Sequence, residues 1–226
     1  MKPWIIVGAA FALAACTQPA PSAPDPAPAP VVNAPTGEYT IDPTHTTVTA
    51  RVSHFGLSQY ALRFNDVTGS LNFNAEDPAQ SSVEATVAIA SLDTPYNGPR
   101  DFDAELQNSE WLDATAFPTA TFRSTGVEST GPGTARMTGD LTIRNVTVPV
   151  TFDVTYNGSY ARHPFGMPIA LVGFSGRAEI SRTAFGVTKL LPAGGTSQGV
   201  GDTVELLIEA EFTRPVEPAA APAPAN

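Results

Sequence analysis

The strongest constraint on this chain is a two-residue alternation of apolar and polar side chains, repeated through its centre. In residues 146–157, Val146, Val148, Val150, Phe152, Val154 and Tyr156 alternate with Thr147, Pro149, Thr151, Asp153 and Thr155. Successive side chains of a strand point to opposite faces, so this pattern writes a strand with one dry and one wet face. Runs of the same kind occupy residues 47–54, 67–74, 83–91, 135–144, 169–180 and 203–214, with a weaker one at 120–129. Eight such runs separated by turn residues predict an all-β antiparallel barrel or sandwich; alternation alone does not separate the two. Pro149 lacks a backbone donor and needs an outward, weakly paired position or a bulge. Gly69 and Gly139, on apolar faces, mark bends in a curving sheet or space kept for a ligand. Short helices are expected at residues 100–107 and 109–113.

Composition divides the chain. Of 22 prolines, 8 lie in residues 1–36 and 4 in residues 215–226, leaving 10 in the 178 residues between, an ordinary density for one globular domain. With 12 Lys+Arg against 22 Asp+Glu the net charge is −10, which does not suit nucleic acid, where binding is dominated by cations on phosphates. A single cysteine excludes a disulfide framework and a cysteine-rich zinc site.

Residues 1–15 read as a signal peptide. Lys2 precedes an uncharged run from Ile5 to Ala15, too short for a bilayer span of about 20 residues. The run ends in Leu13-Ala14-Ala15-Cys16, which resembles the lipobox of bacterial lipoproteins, so Cys16 is the expected lipidation site and the membrane an expected partner. Thr17 after that cysteine leans toward the outer membrane. Processing would remove Lys2 and leave a charge of −11. Residues 16–36 then form a Pro/Ala-rich tether, reaching on the order of 60 Å if extended. Residues 37–214 form the barrel domain, and residues 215–226 a second Pro/Ala tail.

The ordered set of short motifs in the domain resembles the YceI family of periplasmic polyisoprenoid-binding proteins. It runs from Tyr39-Thr-Ile-Asp42-Pro-Thr-His45 and Val52-Ser-His54-Phe-Gly56, through Ile89-Ala-Ser-Leu-Asp93-Thr94, Arg100-Asp101 and Phe117-Pro118-Thr-Ala-Thr-Phe122. It ends with Gly139-Asp-Leu-Thr142, Ile180-Ser-Arg182-Thr-Ala-Phe185-Gly186 and Val200-Gly-Asp202-Thr-Val-Glu205. The resemblance implies an eight-stranded antiparallel, lipocalin-like barrel with a long apolar lumen. It implies binding of a long-chain amphiphilic isoprenoid lipid, of quinone or polyprenyl type, without catalysis and without a further cofactor. The chain departs from the pattern where Phe102-Asp103-Ala104-Glu105-Leu106 replaces a histidine-containing segment, and where Val148 replaces a lysine.

Within such a barrel the inward parity selects Val52, His54, Val87, Ile89, Leu141, Val150, Phe152, Leu206 and Ile208 as lumen lining. His54, Arg100, Asp101 and Arg182 are the candidates for a polar head group, with Asp101 and Asp202 as ion-pair partners for the arginines. His45, at an odd offset from His54 and on the order of 30 Å away along a continuous strand, shares no metal site with it. Asp101, Asp103 and Glu105 fail the calcium-loop pattern because Leu106 and Leu112 hold its glycine and glutamate positions. Gly173-Phe-Ser175-Gly176 fails the serine-hydrolase elbow at Arg177. A ligand-free scaffold module is the first rival reading, and an enzyme using His54 with Asp101 the second. The acidic balance favours a neutral quinone-like lipid over a polyprenyl phosphate. A homodimer stays open.

Overall fold

A computed structural model describes residues 31–217. The expected signal peptide, Cys16, most of the tether and most of the C-terminal tail lie outside the described residues. The described residues contain eleven strands: β1 (Gly37–Ile41), β2 (Thr47–His54), β3 (Ser58–Phe64), β4 (Val67–Phe73), β5 (Ser82–Ala88), β6 (Leu92–Asp93), β7 (Thr119–Gly131), β8 (Thr134–Ile143), β9 (Val146–Tyr160), β10 (Ile169–Ser181) and β11 (Val200–Pro215). All pairings are antiparallel, in the order β1-β4-β5-β7-β8-β9-β10-β11, and β11 closes back on β1. The result is a closed eight-stranded barrel. β2, β3 and β6 prolong β1, β4 and β5 respectively, after breaks at residues 42–46, 65–66 and 89–91.

The turns follow from local chemistry. β8 and β9 join through Arg144-Asn145, both at positive φ (50° and 59°), the two-residue turn whose twist matches a hairpin. Arg144 holds this unusual backbone with an Nη1 donation to the Gly186 carbonyl at 2.6 Å. Pro132-Gly133 turns β7 into β8, with Gly133 at φ 71°. Pro149 sits outward in β9 opposite Asp140, as its missing donor requires.

One short helix, α1 (Phe102–Leu106), lies within the expected 100–107 span. The expected helix at 109–113 is instead a run of turns, closed by Leu112 N donating to Leu106 O and Asp113 N to Asn108 O. Among the described residues no helix is long and apolar enough to cross a membrane.

The inward residues form two clusters. One gathers Tyr39, Ile41, Leu71, Phe73, Val172 and Phe212 near the end where the described chain begins and finishes. The other gathers Leu141, Val150, Phe152, Ala178 and Phe185 toward the opposite end. Gly139 leaves no space for a ligand: a Cβ there would lie 2.4 Å from Phe122 Cζ and 2.5 Å from the Arg123 carbonyl. Gly69 is likewise covered, with the Glu84 carbonyl 2.2 Å from its would-be Cβ. Both glycines therefore serve sheet curvature and close packing.

Residues Val31–Thr36, the end of the expected tether, lie against the barrel. Asn33 N and Ala34 N both donate to Ser159 Oγ, at 2.8 and 2.9 Å, and Ala34 is buried. Tyr39 Oη donates to the Pro35 carbonyl at 2.6 Å.

Candidate functional site

A cavity of about 410 Å³ runs inside the barrel, within the range of about 300–1,000 Å³ typical of ligand pockets. Phe73, Phe122, Phe152, Phe174 and Phe212 supply aromatic wall; Val83, Ala85, Val127, Met137, Ile208 and Ala210 supply aliphatic wall. Phe174 stands centrally, with edge contacts to Phe73, Tyr156 and Phe212 at ring separations of 6.2, 5.8 and 6.2 Å. Gly176 also faces inward, and a Cβ there would meet Ile208 and Phe152 only at 3.6 and 3.7 Å. None of the described lining residues is an Asp, Glu, His, Lys or Arg.

The cavity has a recognisable mouth. Apart from Thr121 on the β7 wall, its exposed lining residues are Val32, Pro78, Ser82, Ser129 and Thr134. These belong to the N-terminal segment, the 3₁₀ turn Pro78–Gln80 and its flank, and the β7–β8 hairpin, all at the end where the described chain begins. The mouth is rimmed with hydroxyls: Ser81 and Ser82 on one side, Ser129 and Thr134 on the other. The opposite end is stopped by Ile89, which is buried, and Leu112.

Of the residues selected by parity, Val87, Ile89, Leu141, Phe152, Leu206 and Ile208 line this cavity. Val150 is buried in the wall cluster beside Phe152. Val52 and His54 share the parity of Val48, which lines the cavity, but lie beyond its closed end. His54 is exposed on the β2–β3 hairpin and stacks edge-on against Phe55 at 4.5 Å.

The other head-group candidates are also outside the lumen. Arg100 is exposed, 3.4 Å from Glu105, and packs over the rings of Tyr96 and Phe102. Asp101 caps α1 by accepting from Ala104 N at 3.0 Å. Arg182 is 7% exposed and donates from Nε, Nη1 and Nη2 to the carbonyls of Gly201, Val187 and Val200 at 2.8, 2.9 and 2.8 Å. Burial lowers its pKa, against the nearby charge of Asp202. Asp202 itself accepts from Ser181 Oγ and Thr183 N; burial alone would raise its carboxyl, but these hydrogen bonds hold it below the ordinary range. The arginine and aspartate thus close the β10–β11 connection. His54 and Asp101, the acid/base pair of the enzyme reading, do not line the cavity.

One polar cluster was not foreseen. The residues between β1 and β2 do not continue the strand, so His45 is not on the face its parity assigns. It folds back so that His45 Nδ1 lies 2.8 Å from Asp42 Oδ2, with Glu211 of β11 alongside. The three offer one ligand atom each within 4.8 Å of one another, a donor set that could hold a divalent metal ion. Asp42 is already engaged by Thr44 N and Oγ1 at 2.9 and 2.6 Å. Burial would raise its carboxyl, but the bonds from Thr44 and His45 override this and hold it at about 2. The hydrogen bond to Asp42, and then the charges of Asp42 and Glu211, raise the His45 pKa above 6.5.

The signs differ. A depressed carboxyl stabilises the fold above its unfolded value and loses that contribution as pH falls through the folded one. A raised histidine stabilises below its unfolded value and loses its contribution as pH rises through the folded one. The clasp is therefore expected to be tightest between about pH 4 and 6.5. NMR titration should find His45 above, and Asp42 below, their ordinary values; a His45 midpoint at or below 6.5 refutes the clasp.

Comparison with known proteins agrees with this architecture. Residues 39–212 match the family model of the YceI-like domain. A UPF0312 protein from Ectopseudomonas mendocina (strain ymp) is 36% identical over 180 residues, covering 78% of this chain and 87% of the relative. Among solved structures, Burkholderia cenocepacia BcnA superposes with a TM-score of 0.64 at 24% identity, over 76% of this chain and 98% of that one. A polyisoprenoid binding domain from Saccharophagus degradans superposes at 0.58 and 10% identity, over 78% and 98% of the two chains. With its motifs in order, its barrel closed and a family match spanning nearly all of the described strands, the chain belongs to the YceI-like domain family.

Proposed function

We propose that the barrel is a non-catalytic binding module for a long-chain isoprenoid lipid. It would sequester or carry that lipid in the periplasm from an acyl anchor at Cys16, with the outer membrane as the favoured site. The observation that carries the reading is the uncharged apolar lumen, open at one end and stopped at the other. Each buried methylene contributes about 0.8 kcal/mol, so a prenyl tail can be held by burial alone, against the cost of ordering it. The resemblance to a polyisoprenoid binding domain supports the same ligand class.

That none of the described lining residues is a cation refines the ligand. A phosphate drawn into such a lumen would lack a counter-charge, and burying an unpaired charge is expensive. A quinone ring needs only hydroxyl partners, which Ser81, Ser82, Ser129 and Thr134 offer at the mouth. Protein purified from its native host and extracted with organic solvent should yield about one prenyl lipid per chain by mass spectrometry; a clean extract overturns the reading. In competition, a neutral prenylquinone should displace a prenyl phosphate of equal tail length at least about tenfold more readily, since about 1.4 kcal/mol is a factor of ten. The reverse order overturns the choice of head group.

A further inference from the structure

The lumen mouth shares its end of the barrel with a group of exposed apolar side chains, of which Phe165 packs against the ring of His163 at 5.5 Å. Phe165 is 91% exposed, Val31 74%, Tyr160 55% and Met167 47%. Phe165 and Met167 belong to the β9–β10 connection, Tyr160 is the last residue of β9, and Val31 belongs to the segment pinned on Ser159. The described chain also finishes here: Val216 N donates to the Pro168 carbonyl, and Arg162 bonds the Glu217 carbonyl. From Val154 to Ala178 there is no acidic residue, in a chain of net charge −10, while Arg162 and His163 lie in the connection itself.

We infer that this mouth-end rim, centred on Phe165 and Met167, docks on the surface of a lipid bilayer and sets the open lumen against it. The occupant follows from the chain outside the described residues. Val31 stands on this rim, and the 15 residues back to Cys16 cannot span more than about 50 Å. An anchor at Cys16 is joined to the barrel through this end, with the end bearing Phe55, Leu57 and Leu190 at the far side of the barrel from the tether. Exposed apolar side chains beside Arg162, on a connection that itself carries no acidic residue, are a composition that a bilayer interface binds. Contact there lets a prenyl tail pass from bilayer to lumen with little exposure to water. The inference rests on the proposed function for its anchor and its cargo.

The test uses the full chain with Cys16→Ser, which removes the one native thiol. A single Met167→Cys in that background carries an environment-sensitive fluorophore, and a Leu57→Cys chain is the control. Both are mixed with vesicles of phosphatidylethanolamine and phosphatidylglycerol, 3:1 in proportion by design, on the order of a typical anionic bacterial surface. Both chains keep the same residues 1–30, so contact made by that segment is common to the two. The label at 167 should shift to the blue and be quenched by brominated lipid, while the label at 57 stays as in water. Adding Phe165→Ser should cut the quenching at 167 on the order of tenfold, as expected for losing one buried aromatic side chain. No response at 167, or an equal response at 57, overturns the inference. A silent label with lipid still extracted from the lumen sinks only the docking; a responsive label with an empty lumen sinks only the cargo.

Discussion

Replacing Arg182 with alanine is expected to lower the unfolding free energy by about 3–4 kcal/mol, the largest loss of any single polar side chain in the domain. Its guanidinium is buried and satisfies three carbonyls on the connection that returns the chain from β10 into β11, those of Val187, Val200 and Gly201. Hydrogen bonds from a charged donor are each stronger than neutral ones, and truncation leaves the acceptors without their partner. For a domain of this size the melting temperature should fall on the order of 10 °C. Arg182→Lys should recover only part of the loss, because an ammonium cannot reproduce the planar fork. Trp111, whose ring lies 5.9 Å from the guanidinium carbon, gives a local optical readout of the same change. A loss below about 1 kcal/mol would mean the connection is held by other contacts. Lipid extracted from the purified Arg182→Ala protein should still be about one per chain, since the arginine does not line the lumen.

That role shows where sequence reading reached and where it stopped. Its eight alternating runs correspond one to one with the eight barrel strands, because alternation reports a locally determined property, the parity of a pleat. β1 and β3 escaped it: each is half of a barrel strand separated from its better-patterned half by a break, at Asp42–Thr46 and at Asn65-Asp66. Tyr60, Leu62 and Phe64 alternate with Gln59, Ala61 and Arg63, so the signal for β3 was present. Parity assigns a residue to a face of the sheet but carries no depth. Val48 and Val52 have the same parity, yet only Val48 lies between the mouth and the stop formed by Ile89 and Leu112. Phe174 and Gly176 share the parity of Ala178 and were legible as inward; their place at the middle of the lumen follows from strand register across β9, β10 and β11.

The polar groups were harder because their partners are distant in the chain. Arg182 reads as a rim cation until the loop through Val187 and Val200 closes over it. Asp42 and His45 read as a turn and a strand residue until the break in the first barrel strand and the approach of Glu211 bring them together. The mouth itself depends on where the Pro78–Gln80 turn and the β7–β8 hairpin stand relative to one another, a tertiary fact with no local periodicity to report it.

Gly176→Phe is expected to abolish lipid binding while leaving the barrel folded, and this is the sharpest separation of lumen from mere core. Gly176 pairs with Val154 and Ile208 in the middle of the wall, between the two apolar clusters. A methyl there meets its neighbours at 3.6 and 3.7 Å, ordinary contact, so Gly176→Ala should bind and melt like the native protein. A benzyl group projects past that shell into the cavity and divides it. Excluding even one five-carbon isoprene unit removes about 4 kcal/mol of burial, close to a thousandfold in affinity, because each carbon contributes about 0.8 kcal/mol. The same ring fills apolar space, so the melting temperature of the ligand-free protein should hold or rise. The measurement is paired: lipid per chain by extraction and mass spectrometry, and thermal unfolding of the same sample. Full lipid occupancy in Gly176→Phe would place the ligand outside the lumen. Lost binding together with a collapsed melting temperature would instead mean that the space around Gly176 is packed core. The expected result, an empty barrel that still melts cooperatively, requires that the cavity exist to hold something other than side chains.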